Sequence, residues 1–140
     1  MEKLSIIVPV FNEQETIPIF FNTVQKVLEN SNLEIEYWFV DDGSNDDTIQ
    51  VIKKIRSLHN NLHYISFSRN FGKEAALWAG LQNVSGDFVA VMDVDLQDPP
   101  ELLPKMIEGV KSGEWDVVGA RRKNRHGESI ISTWFSILFY

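Results

Sequence analysis

The chain has 140 residues, 44% hydrophobic and 24% charged, enough to bury one core without disulfides or a structural metal and unlike a disordered tract. It contains no cysteine, which excludes disulfide frameworks, thiolate nucleophiles and Cys-ligated zinc, so any metal must sit on oxygen or imidazole. A net charge of −7 argues against nucleic-acid binding by the whole chain, yet residues 1–120 carry nine Lys/Arg against nineteen Asp/Glu, whereas residues 121–140 carry four against one.

The N-terminus runs through Lys3 into a short apolar stretch with Pro9 and no small-residue cleavage site, which predicts a domain kept in the cytoplasm. Residues 4–10 are β-branched and apolar on both faces, the pattern of a strand inside a parallel sheet. Ile17, Phe20 or Phe21, Val24, Val27 and Leu28 then form a helical stripe. A second strand is predicted over 35–40, a helix carrying Ile49, Ile52 and Ile55 after it, and a third strand over 62–67. A helix over 75–81, a strand over 87–92, a helix over 102–110 and a strand over 116–119 follow. This alternation, without repeat or linker, predicts one α/β domain with a mainly parallel sheet flanked by helices.

Ligands of such sheets collect at the carboxyl ends of the strands, and the polar residues with chemistry fall there. Asn12-Glu13 follows the first strand, Asp41-Asp42-Gly43-Ser44 the second, Ser68-Arg69-Asn70 the third and Asp93-Val94-Asp95 the fourth. Asp93 and Asp95, one residue apart just after an apolar strand, suit a hard cation shared with a diphosphate. Gln97-Asp98-Pro99-Pro100 then stops the loop and starts the next helix. Ser44 and Asp47 have the spacing of a capping box, and Ser44 or Asn45 is expected to cap the second helix. Asp42 is open to two readings, as part of that turn or as acceptor for a uracil imide or ribose hydroxyl. Arg69 and Lys73 flank Asn70-Phe71-Gly72, where cations would face a diphosphate or make surface ion pairs.

The basic run 121–125 stands beside the apolar run 130–140, and a lipid phosphate would suit both. That apolar run is too short to span a bilayer, which leaves an interfacial amphipathic helix, the start of a longer element, or a helix packed on the sheet. His126 reads as a loop residue, and His59 and His63 have no acidic partners in sequence reach.

Four ordered motifs carry a resemblance that covers nearly the whole chain. They are the run from Ile7 to Glu13, Val40-Asp41-Asp42-Gly43-Ser44 with Asp46 and Thr48, the run from Ser68 to Lys73, and the run from Met92 to Asp98. Together they resemble family 2 glycosyltransferases, and within them the polyprenyl-phosphate branch. The stretch with Arg121, Arg125, Gly127, Glu128 and Ser129 favours the undecaprenyl-phosphate glucosyl group. The resemblance implies a GT-A fold over residues 1–128, with 129–140 beginning an amphipathic or membrane-associated helix. It implies inverting transfer of a hexose from a UDP-sugar to a polyprenyl phosphate, assisted by Mg²⁺ or Mn²⁺, at the cytoplasmic side of the plasma membrane.

Carried over residue by residue, it places Pro9, Asn12, Glu13 and Asp42 around the nucleotide. Asp93 and Asp95, with Gln97, would hold the metal, and Arg121 and Arg125 would approach the donor or acceptor phosphate. Members of this branch continue well beyond this length, so the chain reads as an N-terminal portion, with a nucleotide-sugar-binding module lacking transfer activity as the alternative. A homo-oligomer is left open. A phosphatase of the haloacid dehalogenase type would need threonine where Gln97 stands, and a Rossmann dehydrogenase would need a G-x-G-x-x-G after the first strand.

Overall fold

The computed structural model describes residues 1–120 with side chains and the backbone of 135–139. Strand β1 (Lys3–Val10) leads through α1 (Thr16–Val27) to β2 (Glu34–Asp41), and α2 (Thr48–Leu58) leads to β3 (Leu62–Ser66). Helix α3 (Lys73–Leu81) precedes β4 (Phe88–Val91). A 3-10 turn at Pro100–Leu102 opens α4 (Leu103–Lys111), and β5 (Val117–Ala120) and β6 (Phe135–Phe139) complete the sheet. The strand order is β3-β2-β1-β4-β6-β5, with β1 to β4 parallel and β6 antiparallel to both neighbours.

Alternation along β1 divides the core between the two faces of the sheet. Leu4, Ile6, Val8 and Val10 are buried with Phe20 and Phe21 of α1, Ile52 of α2, and Leu103 and Met106 of α4. Ile7 turns the other way and packs with Val40, Val89 and Ala76 of α3. A Cβ on Gly80 would lie 2.5 Å from Ile7 Cγ2, so α3 approaches β1 as closely as only glycine permits. The right-handed crossover rule accounts for α1 and α2 sharing one face while α3, which returns the chain across β1 to β4, takes the other.

That return matters for function. The chain moves from β1 to β2 and β3 on one side, then adds β4 on the opposite side of β1, so the carboxyl ends of β1 and β4 border a crevice at the point where the order reverses.

At the opposite end of the sheet lies a buried acid that the sequence reading did not single out. Glu36 is only 4% exposed and accepts hydrogen bonds from Ser5 Oγ and from Ser85 N (2.9 Å), with Lys3 Nζ at 2.9 Å. Burial pushes its pKa up, but the hydrogen bonds from Ser5, Ser85 and Lys3, with the Lys3 charge, outweigh burial and hold the carboxyl at about 2.

One expectation is corrected. Residues 135–139 were expected within a helix, and Phe135–Phe139 is instead strand β6, inserted between β4 and β5. A short apolar run has no decisive period, and the sheet supplies two unpaired strand edges that such a run can satisfy. Residues 121–134 and 140 lie outside the described residues. Among those described, no helix is long and apolar enough to cross a membrane.

Candidate functional site

Three loops at the carboxyl ends of the strands are tied together by hydrogen bonds, which gives the crevice fixed walls. After β1, Asn12 adopts φ 52°, a left-handed conformation that asparagine tolerates better than most residues. From there its N–H donates to Ser44 Oγ (2.8 Å), and its side-chain carbonyl accepts from Asn45 N–H (2.8 Å). Glu13 N–H donates to Thr48 Oγ1 (2.9 Å), and Gln14 Oε1 accepts from Asp47 N–H (2.9 Å).

The expected capping box is not formed. Helix α2 starts at Thr48, and Ser44 instead donates through its N–H and hydroxyl to Asp41 Oδ1. The acid that meets the start of α2 is Asp46, which accepts from the Thr48 N–H (2.9 Å) and hydroxyl. Desolvation raises the Asp46 pKa, and these hydrogen bonds outweigh it, leaving the carboxyl below its ordinary value.

The loop after β2 grips the loop after β3. Gly43 has φ 74°, and a Cβ there would lie 2.3 Å from the Arg69 carbonyl carbon, so the two backbones touch. Asp42, 5% exposed, accepts from Phe71 N–H (2.8 Å) and Gly72 N–H (3.1 Å). Gly72, at φ 99°, turns the chain into α3, and the first residue of that helix, Lys73, places Nζ 2.6 Å from Asp93 Oδ1.

The crevice is a cavity of about 260 Å³. Pro9, Val10, Phe11 and Glu13 form the β1 side, Asp42 and Lys73 the β2 and α3 side, and Asp93, Val94 and Asp95 the wall after β4. Six of the residues named from sequence therefore meet on one cavity: Pro9, Glu13, Asp42, Lys73, Asp93 and Asp95. Three do not line it. Asn12 braces the wall. The Arg69 guanidinium lies over the Phe71 ring, 4.0 Å from its centroid, so its charge is not turned into the cavity. Gln97 is exposed, and its N–H donates to Asp95 Oδ1 (3.1 Å). Arg121 and Arg125 lie outside the described residues. The sequence reading missed the apolar lining of Val10, Phe11 and Val94, although a strand end followed by an exposed aromatic (Phe11, 42% exposed) is a signal for it.

Asp93 and Asp95 offer hard oxygen donors to the cavity, and no third His, Cys, Asp or Glu joins them in one group among the described residues. Such a pair fits a divalent cation that takes its remaining oxygens from a diphosphate and water.

The profile of Glycosyl transferase family 2 matches residues 5–137. The chain belongs to that family. It is 44% identical over 138 residues to the bactoprenol glucosyl transferase of Shigella phage SfX, an alignment covering 99% of this chain and 45% of the relative. The chain thus spans less than half the length of the curated relatives it matches. Among solved structures, the mannosyltransferase PcManGT of Pyrobaculum calidifontis superimposes with a TM-score of 0.79 at 19% identity, covering 99% of this chain and 44% of that one. The glucosyl-3-phosphoglycerate synthase of Mycobacterium tuberculosis, solved with Mn²⁺, UDP-glucose and phosphoglyceric acid, is 27% identical with a TM-score of 0.63, covering 83% of this chain and 42% of that one. The GT-A fold expected from the motifs is the fold observed.

Proposed function

We propose that this chain is the donor-binding half of an inverting family 2 glycosyltransferase that moves a hexose from a UDP-sugar to a polyprenyl phosphate with a divalent metal. The observation that carries the reading is the cavity at the β1/β4 reversal, where Asp93 and Asp95 share walls with Asp42 and Lys73. The bactoprenol-acting relative supports the acceptor, and the UDP-glucose and Mn²⁺ of the mycobacterial neighbour support the donor and cation.

In this reading Pro9, Asn12, Glu13 and Asp42 surround the nucleotide, while Asp93 and Asp95, with Gln97, hold Mg²⁺ or Mn²⁺. When bound, that cation offsets charge developing on the UDP leaving group. Lys73 approaches the diphosphate from the cavity wall, and Arg69 would have to leave the Phe71 ring to join it. Arg121 and Arg125 are assigned to donor or acceptor phosphate on the sequence resemblance. A phosphate acceptor is already ionised near neutral pH, so little general-base assistance is required, and positioning with charge stabilisation carries the reaction. A polyprenyl acceptor would place the working protein at the cytoplasmic membrane surface.

The test incubates the chain with radiolabelled UDP-glucose, Mn²⁺ and undecaprenyl phosphate in detergent, followed by organic extraction. Labelled lipid is the expected result. UDP binding without labelled lipid would confine the chain to donor binding. Neither binding nor transfer would contradict the proposal.

A further inference from the structure

Among the described residues, the cavity is lined by four carboxylates, Glu13, Asp42, Asp93 and Asp95, and by one cation, Lys73. A diphosphate entering this acidic crevice needs positive charge, and Lys73 is committed to Asp93 at 2.6 Å. In the donor-site reading, Asp93 is also a ligand of the divalent cation. We propose that Lys73 is an exchangeable counter-ion: it neutralises Asp93 in the unliganded protein and gives that carboxylate up to the incoming metal, moving its ammonium to the diphosphate. This deepens the donor-site reading above and rests on it.

Geometry distinguishes the pair from an ordinary surface ion pair. Lys73 is delivered by a built device: the Asp42 carboxylate holds the N–H groups of Phe71 and Gly72, Gly72 at φ 99° makes the turn, and α3 begins at Lys73. The Lys73 side chain is 57% exposed and the Asp93 side chain 25%, so the carboxylate is held in the wall while the four-carbon stem of the lysine is free to swing. Two ligands that displace the same internal contact must assist one another. Metal alone has to break the ion pair without a new partner for the ammonium, whereas metal with diphosphate supplies one, and that coupling is reciprocal.

The experiment measures Mn²⁺ binding by the loss of its free-ion electron paramagnetic resonance signal, with and without UDP, in wild type, K73Q and K54Q, the last removing an equal charge from the exposed face of α2. Without UDP, K73Q is expected to bind Mn²⁺ about three-fold more tightly than wild type, the worth of a partly exposed ion pair. With Mn²⁺ present, K73Q is expected to bind UDP about ten-fold more weakly, the worth of one charge-assisted hydrogen bond. A structural role alone would not move metal and nucleotide affinity in opposite directions. Unchanged Mn²⁺ affinity in K73Q, with metal-linked UDP binding intact, would overturn the counter-ion and leave the donor site standing. An equal gain in K54Q would overturn it as a general charge effect. Absence of metal-linked UDP binding in wild type would remove the donor-site reading and the counter-ion together.

Discussion

Asp42 shows how one side chain can serve structure and recognition at once. Its sequence context left it divided between a turn and a nucleotide contact, and the structure adds a third task, since its carboxylate accepts two backbone N–H groups from the loop before α3. Hydrogen bonds to a charged group contribute about 1.5–3 kcal/mol each, and a buried donor left unpaired costs a comparable amount. Asp42→Ala should therefore lower unfolding stability by about 2–4 kcal/mol in a denaturant titration and also reduce discrimination of UDP over ADP. Unchanged stability would contradict the clamp, and unchanged discrimination would leave Asp42 a clamp only. Gly43 makes the same point sterically. Gly43→Ala must move the Arg69 backbone out of the way at a positive φ, so it is expected to cost about 1–3 kcal/mol and to weaken UDP binding, read by the same two measurements.

At the scale of elements, Glu36 binds β1, β2 and the loop before β4 through Ser5, Lys3 and Ser85. Its folded pKa of about 2 lies below the ordinary value of 4.5, so its stabilisation is fully present above 4.5 and is lost as pH falls through 2. The shift corresponds to about 3 kcal/mol at most. Wild type should lose about 2 kcal/mol more stability than Glu36→Gln between pH 7 and pH 3. Equal losses would show that the carboxylate is not held as described.

The parallel strands were legible because residues buried on both faces leave unbroken apolar runs, as in Ile6-Ile7-Val8. The site was legible because strand ends are where α/β folds place polar chemistry, and Pro9, Glu13, Asp42, Lys73, Asp93 and Asp95 met there. Other features were not. Phe135–Phe139 carries no period that separates strand from helix, so only the available sheet edges decide it. The spacing of Ser44 and Asp47 fits a capping box, but Asp41 and Asn12 compete for Ser44 in space. Arg69 faces the Phe71 ring because a guanidinium beside an exposed aromatic gains from stacking, which spacing does not reveal.

For the whole molecule, the six described strands form one sheet with the proposed donor cavity on one rim, and residues 121–125 are the sequence's concentration of positive charge. With 135–139 held in the sheet, anchoring by insertion of that segment loses its basis, and attraction of the basic run to anionic headgroups, about 1 kcal/mol per Lys/Arg, carries the membrane expectation. The chain should sediment with anionic vesicles at low salt, and glutamine at Arg121, Arg122, Lys123 and Arg125 should release most of it. Retention that neither lipid charge nor these substitutions alters would remove the membrane surface from the proposal. The donor cavity itself is tested most directly by calorimetric titration of UDP into wild type and Asp95→Asn, each with Mn²⁺ and with EDTA. Wild type should bind only with Mn²⁺, and Asp95→Asn should lose most of that metal-linked affinity while unfolding at the wild-type temperature. UDP affinity indifferent to both EDTA and the substitution would contradict the assignment of Asp93 and Asp95 to the metal.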